Sequence, residues 1–214
     1  MTESIYGSLY PALRQAGEGL INRIEEIRRN MERKLGMDPV EHLLYRIKSE
    51  ESMREKCRRR GLPETTESAL YQIHDGIGIR VVCAFLNDVY AVRDLLAKDA
   101  AFTLVEEKDY IRQVKPNGYR SLHMILQADG LYAEVQIRTI SQDTWAALEH
   151  HLKYKKDVGG NVDLLVRELK RCADELAHYD HIHDVVCVLQ KVRQHERPRE
   201  SQQLPGHQIG RAHV

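Results

Sequence analysis

The sequence predicts an α/β fold: a mixed β-sheet flanked by helices, with further helices at its N- and C-terminal ends. Three observations predict it. Apolar residues recur at helical spacing in the first third of the chain and again from Ser141 to about Gln194. Between these stretches lie compact β-branched or alternating runs, punctuated by turn residues. The 214 residues are 42% hydrophobic and 30% charged, enough to bury a core while keeping a polar surface.

Taken in order, Leu20, Ile24, Ile27 and Met31 mark one helix face, and Gly36 with Pro39 ends that segment. A second helix is predicted from about Val40 to Arg60, closed by Gly61 and Pro63. The run IGIRVVCAF (77–85) reads as a buried strand. Residues 87–99 return to helical period, with Asn87 or Asp88 as N-cap. FTLVEEKDYI, SLHMILQA and LYAEVQIRT read as strands, the last two joined by a turn at Asp129-Gly130. The final helical pattern breaks at Gly159-Gly160, and the polar stretch from Arg197 reads as a loose tail.

Composition limits the function classes. Lys plus Arg number 32 and Asp plus Glu 32, so a domain that is basic all over, as many nucleic-acid binders are, is excluded. No apolar run approaches the roughly 18 residues of a membrane span, and the N-terminus lacks a signal-peptide core. Cys57, Cys83, Cys172 and Cys187 form no CxxC pair and are expected to be reduced, mostly buried thiols of a cytoplasmic protein. His178, His181 and His183 fall within a helical pattern without an accompanying ligand set, and are expected to be helix-surface residues.

Four segments could carry chemistry. A two-residue hairpin loop at Asp129-Gly130 fixes the register, so that Ile125 opposes Glu134, His123 opposes Gln136 and Ser121 opposes Arg138. Leu122, Met124, Leu126, Ala133, Val135 and Ile137 then share the opposite, apolar face. The polar face fits either a solvated sheet surface or a cluster that sets a carboxylate beside a polyphosphate. In the predicted second helix, Lys48, Ser52, Lys56 and Arg60 follow one another at i+4. Residues 46–60 hold seven bases and three acids, a local +4, suited to phosphate oxygens or to a solvated face with internal ion pairs. Residues 108–120 hold four bases and one acid, and Pro116-Asn117-Gly118 forces a turn lifting Lys115 and Tyr119 to its rim. Tyr119 there suits a loop anchor or a stacking surface for a nucleobase. Asp75, at the mouth of the 77–85 strand beside Gly76 and Gly78, occupies a usual place for a Mg²⁺ ligand; which face it shares is not fixed by strand parity.

In this order the segments resemble the synthetase domain of the RelA/SpoT family, and in particular its stand-alone small alarmone synthetases. The resemblance rests on Arg46-x-Lys48-x3-Ser52-x3-Lys56, Asp75-x-x-Gly78-Ile79-Arg80 and Asp109-Tyr110-Ile111. It continues through Lys115-x-Asn117-Gly118-Tyr119-Arg120-Ser121-Leu122-His123, Glu134-Val135-Gln136-Ile137-Arg138-Thr139, Trp145-Ala146, Glu149-His150 and Tyr154-Lys155. It implies a nucleotidyltransferase-like synthetase domain over about 40–156, preceded by N-terminal helices (1–39). It further implies C-terminal helices over 157–196 that either form an oligomer, a homotetramer in the family, or pack on their own core. The family's hydrolase domain would need a large additional N-terminal region, so a synthetase alone is expected.

The implied reaction is transfer of the β,γ-pyrophosphate of ATP to the 3′-hydroxyl of GDP or GTP, giving ppGpp or pppGpp and AMP, with Mg²⁺. Carried over residue by residue, Glu134 matches the family's acid that takes the hydroxyl proton and touches Mg²⁺, and Asp75 its principal Mg²⁺ ligand. Lys48, Ser52 and Lys56 match groups holding the ATP phosphates, and Arg46 and Arg80 the pair that sandwiches adenine. Tyr119 matches the residue that stacks on guanine. Lys115, Asn117, His123, Gln136 and Arg138 match acceptor- or phosphate-side positions. The chain departs from the pattern at Gly76, where an apolar residue is usual and a glycine is expected to loosen the metal loop. It departs again over Glu41–Tyr45, which does not match the family's allosteric alarmone segment. Two other readings stand beside this one: a relative that pyrophosphorylates the 3′ end of tRNA, and a non-catalytic nucleotide- or RNA-binding module. Residues 209–214 resemble a translated sequencing adaptor and carry no functional argument.

Overall fold

The computed structural model describes residues 4–154 and 162–195. The Gly159-Gly160 break, Lys155, the tail from Arg197 and the side chains of His183 and Cys187 lie outside what it describes. After a 3₁₀ turn at Gly7–Leu9, the elements run α1 (Tyr10–Leu35), β1 (Val40–Ile47), α2 (Glu50–Arg60), β2 (Ile77–Cys83), α3 (Leu86–Lys98), β3 (Thr103–Asp109), β4 (Leu122–Ala128), β5 (Leu131–Thr139), α4 (Ile140–Tyr154) and α5 (Val162–His195). A single turn of π-helix, Ser68–Gln72, precedes β2.

The five strands form one mixed sheet in the order β1-β2-β5-β4-β3. The central β2–β5 pair is parallel and the outer pairs are antiparallel. One face is the core. Leu122, Met124, Leu126, Ala133, Val135 and Ile137 are buried there with Ile77, Ile79 and Val81, beneath Leu20 and Ile24 of α1 and Val89, Val92 and Leu96 of α3. The Asp129-Gly130 turn has positive φ at both residues (53° and 77°), the type I′ geometry that matches strand twist. The β4–β5 register follows the predicted hairpin from Leu122↔Ile137 to Ala128↔Leu131.

The predicted helix over 40–60 is corrected: residues 40–47 are an edge strand, and the helix begins only at Glu50. Val40, Leu43, Leu44 and Ile47 satisfy a helical spacing, but pairing with β2 claims the segment. Ser49 then caps α2, its Oγ accepting from the Ser52 amide at 3.3 Å. A second correction concerns α3, which starts at Leu86 with Phe85 at the cap position, so neither Asn87 nor Asp88 caps it. α4 opens on a reciprocal capping box: the Gln142 amide donates to Thr139 Oγ1 and the Thr139 amide to Gln142 Oε1, both at 3.2 Å. Cys57 and Cys83 are buried free thiols, and Cys172 is partly exposed.

Candidate functional site

The other face of the sheet is polar, and register sets its side chains in rows. Arg46 of β1 pairs with Gly78 of β2, and Gly78 with Glu134 of β5, which faces Ile125 of β4. The next row runs Leu44, Arg80, Gln136, His123 and Lys108. Gly78 keeps the first row open: a Cβ there would meet the Arg46 side chain at 3.6 Å, so Arg46 lies over bare backbone on the way to Glu134.

Two clefts open on this face. The first, about 320 Å³, is lined by Arg46, Lys48, Asp75, Arg80, Glu134 and Gln136, with Leu44 and Tyr45 as its apolar wall. The second, about 170 Å³, is lined by Glu106, Lys108, Tyr110, Lys115, His123 and Glu134. Glu134 is the residue common to both linings and forms the divide between them.

Asp75 sits at the β1–β2 end of the first cleft, where the Lys48 amide donates to the Gly76 carbonyl at 2.8 Å and extends the ladder past Ile47. Strand alternation is broken here by a turn at Asp75-Gly76: the Cβ direction of Gly76 faces Met53 and Leu13 of the core, while Asp75 lines the polar cleft. Its Oδ2 is 3.1 Å from Lys48 Nζ and 2.5 Å from Lys56 Nζ. Its Oδ1 is buried without a hydrogen-bond partner. Gly76 is buried, and a Cβ there would meet Met53 at 3.7 Å and Leu13 at 3.9 Å, so the loop is seated against the core rather than hanging loose.

Glu134 is held from both sides. Its Oε1 is 3.1 Å from His123 Nδ1, and its Oε2 accepts from Gln136 Nε2 at 2.8 Å. Burial acts to raise its pKa, but the His123 and Gln136 contacts and the nearby Lys56 charge outweigh it and hold the carboxyl at about 2. The network continues outward on each flank. Arg138, 2% exposed, donates to Gln136 Oε1 and stands 3.5 Å from Asp143 Oδ1; the same oxygen is 3.3 Å from Arg80. On the other flank His123 Nε2 pairs with the Tyr119 hydroxyl at 2.8 Å.

The predicted residues therefore divide. Arg46, Lys48, Asp75, Arg80, Gln136 and Glu134 converge on the first cleft, and Lys115, His123 and Glu134 on the second. Lys56 joins them through Asp75. Ser52 lies exposed at the start of α2, bonded to Ser49 Oγ at 2.9 Å, and Lys48 precedes that helix, so the i+4 file from Lys48 to Arg60 is broken at its first member. Asn117 and Tyr119 stand behind the second cleft rather than in its lining. Asn117 donates to Glu149 at 2.8 Å and accepts from the Tyr119 amide at 3.2 Å. The Tyr119 ring packs edge-on against Tyr110, His123 and Trp145. Arg138 is buried beneath the floor.

Sequence reasoning assigned no site role to Tyr110, Lys108 or Asp143. Tyr110 lines the second cleft, with the Lys115 ammonium 4.0 Å from its ring centroid. Lys108 arrives there by pairing opposite His123, and the bulge between Leu104 and Glu106 hides that register from any parity count. The basic strip over 108–120 is also less concentrated than its charge suggests, because Lys108 pairs with Glu106, Arg112 with Asp109 and Arg120 with Asp174.

Residues 45–159 match the profile described as the region found in RelA / SpoT proteins. The chain is 43% identical over 154 residues to GTP pyrophosphokinase YwaC of Bacillus subtilis, spanning 67% of this chain and 71% of that one. It is 33% identical over 179 residues to GTP pyrophosphokinase YjbM of the same organism, spanning 78% and 81%. Among solved structures, small alarmone synthetase 1 from B. subtilis bound to its product pppGpp aligns with a TM-score of 0.74 at 30% identity, covering 86% of this chain and 96% of that one. Small alarmone synthetase 2 from the same organism aligns at 0.71 and 33%, covering 84% and 96%. A profile spanning more than half of the sequence, and relatives matched over most of their own length, establish that this chain belongs to the RelA/SpoT family.

Proposed function

We propose that this protein is a (p)ppGpp synthetase, moving the β,γ-pyrophosphate of ATP to the 3′-hydroxyl of GDP or GTP and releasing AMP. The observation that carries this reading is Glu134, which belongs to the linings of both clefts. A transfer between two nucleotides needs one group that reaches both, and a carboxylate suits an incoming hydroxyl.

In this reading the first cleft takes ATP. Arg46 and Arg80 hold the adenine between planar guanidinium groups, which needs no base-specific hydrogen bond. Lys48 and Lys56 take the phosphates, with Ser52 at the α2 N-terminus alongside, and so offset the charge of an in-line transfer. The second cleft takes the acceptor, with Lys115 and His123 on its phosphates and ribose and Tyr110, backed by Tyr119, as its aromatic wall. Asn117, Gln136 and Arg138 hold the residues that touch it. The 3′-oxygen bonds to the β-phosphorus as the bridge from that phosphorus to the α-phosphate oxygen breaks, and AMP leaves with the bridging oxygen. Glu134 accepts the hydroxyl's hydrogen bond and its proton. Phosphates arriving beside it add negative charge and draw Lys56 away, and both changes raise its proton affinity from the low value of the free cleft.

The donor set fits Mg²⁺. Asp75 offers a buried, unpartnered oxygen, and Glu134 lies in the same lining. Among the described residues no cluster of three His, Cys, Asp or Glu forms a protein cage. Asp75 and Glu134 would hold the ion, which when bound neutralises charge on the phosphates.

No helix among the described residues is long and apolar enough to cross a membrane, and the proposed location is the cytoplasm. α5 presents Leu164, Val166, Tyr179, Ile182 and Val185 to the surface, which supports assembly into a homo-oligomer, a tetramer by family likeness. The test is incubation with ATP, Mg²⁺ and GDP, GTP, GMP or tRNA in parallel. AMP and a 3′-pyrophosphorylated guanine nucleotide are expected in equal amounts, and Glu134→Gln abolishes both. Label on tRNA alone selects the tRNA-modifying reading. Nucleotide binding without AMP release selects the non-catalytic one.

A further inference from the structure

The second cleft is built on the turn 115–120, and α5 grips that turn directly. Arg120 makes the grip: its Nη1 donates to the carbonyls of Gly118 and Ala173, both at 3.1 Å, and its Nη2 meets Asp174 Oδ1 at 2.9 Å. One guanidinium therefore ties the turn's own backbone to the backbone and a side chain of α5, using the fork geometry that lysine lacks. Gly118 completes the joint. Its φ is 91°, and a Cβ there would fall 2.7 Å from the Ala173 Cβ and 3.4 Å from the Lys170 Cα, so the turn seats against α5 with no side chain between. Two further bonds fix α5 in this position: Trp145 Nε1 donates to the Leu169 carbonyl at 2.7 Å, and Thr139 Oγ1 to Asp180 Oδ2 at 2.8 Å.

The turn held this way carries Lys115 into the second cleft, and through Tyr119 and His123 it reaches the Glu134 carboxylate. We propose that Arg120 is a positioning residue that links docking of α5 to binding of the acceptor nucleotide, so that each favours the other more strongly than either is linked to the first cleft. The linkage rests on the reading of the second cleft as the acceptor site. It follows because Arg120 joins α5 directly to the turn that carries Lys115, whereas the contacts of α5 with Trp145 and Thr139 bear on the first cleft at one remove, through Asp143 of α4 and its pair with Arg80. Linkage of this kind is reciprocal by thermodynamic necessity.

The test uses the whole chain. Hydrogen exchange over residues 162–182 is followed with and without saturating GDP, GDP binding is measured separately by calorimetry, and steady-state constants are taken for both nucleotides. GDP is expected to slow exchange in α5 of the wild type. Arg120→Lys is expected to remove that protection and to raise KM for GDP about 10-fold, with KM for ATP changed less than about 2-fold. Asp174→Asn, at a surface position, is expected to give the same split at smaller amplitude. GDP binding that leaves α5 exchange unchanged overturns the linkage and spares the reading of the cleft, as does an equal rise in both KM values. No GDP binding at all overturns the reading of the cleft and the linkage with it.

Discussion

Lys56 places its ammonium 2.5 Å from Asp75, on the same carboxylate oxygen that Lys48 approaches to 3.1 Å. All three side chains are less than one-fifth exposed, so the attraction is little screened. The pair that would hold phosphate is thus occupied by the carboxylate that would hold metal, and each must let go of the other when ATP and its cation enter together. Asp75→Asn is expected to separate the two roles. With metal chelated, ATP binds the variant about 5- to 10-fold more tightly, roughly 1 kcal/mol, because the lysines no longer face a competing anion. With Mg²⁺ present, turnover falls by at least about 100-fold. Nucleotide titration in chelator and AMP release in Mg²⁺ measure the two effects. Weaker metal-free ATP binding in the variant would refute the competition.

Two glycines should respond oppositely to the same substitution. A Cβ at Gly17 would fall 2.4 Å from the Tyr45 hydroxyl and 2.7 Å from its Cζ, a rigid ring wedged between α1 and the wall of the first cleft. Gly17→Ala is therefore expected to cost about 1–3 kcal/mol in urea unfolding and to raise KM for ATP, because Tyr45 neighbours Arg46. A Cβ at Gly76 would meet nothing nearer than 3.7 Å, on a backbone without positive φ. Gly76→Ala is expected to be neutral or to stabilise by up to about 1 kcal/mol through the unfolded chain. Destabilisation beyond about 1 kcal/mol at Gly76 would contradict this packing.

How much of this was legible in the sequence depends on how local each determinant is. The β4–β5 hairpin was readable because Asp129-Gly130 fixes its own register, and every pairing then follows, including Glu134 beside His123 and Gln136. β1 was not readable as a strand, because VEHLLYRI fits a helix as well as a strand and its partners in β2 lie 30 to 43 residues away. With β1 went the placement of Lys48, which reaches Asp75 from the end of a strand rather than from a helix face. Arg120 was counted within a basic strip, and only tertiary structure brings Asp174 to it from 54 residues away.

The entry of the chain into β1 should weaken in acid. Asp38 accepts from Arg28 and from the Val40 amide, at 2.9 Å and 3.0 Å, and so joins the end of α1 to the strand that carries Arg46. The Arg28 hydrogen bond, and behind it the Val40 amide, hold the Asp38 carboxyl below the usual range against a smaller opposing effect of burial. A carboxyl lowered on folding contributes stability above its unfolded pKa of about 4. That contribution is lost as pH falls from there through the folded value. Asp38→Asn should therefore lower the urea midpoint at pH 7 and lower it progressively less below about pH 4. A difference that stays constant down to pH 3 would assign the effect to the amide substitution rather than to the charge.

Asp143 on α4 faces two arginines at once. Its carboxylate stands 3.3 Å from Arg80 and 3.5 Å from Arg138, and the Arg138 guanidinium is nearly wholly buried, with Nε unpartnered. Burial already depresses the Arg138 pKa, as expected of a cation short of compensation. Asp143→Asn would leave two guanidinium groups side by side without their shared anion. Breaking a buried pair from one side costs about 3–5 kcal/mol, mainly through the charge left behind. Arg138→Met removes that charge, so Asp143→Asn should cost about 2 kcal/mol less in the Arg138→Met background than alone. The four proteins of this cycle, unfolded in urea at pH 7, give the coupling directly. In the single variant, Arg80 loses its anchor as well, and KM for ATP is expected to rise several-fold. Simple additivity of the two substitutions would show that Asp143 does not neutralise Arg138 to any useful degree.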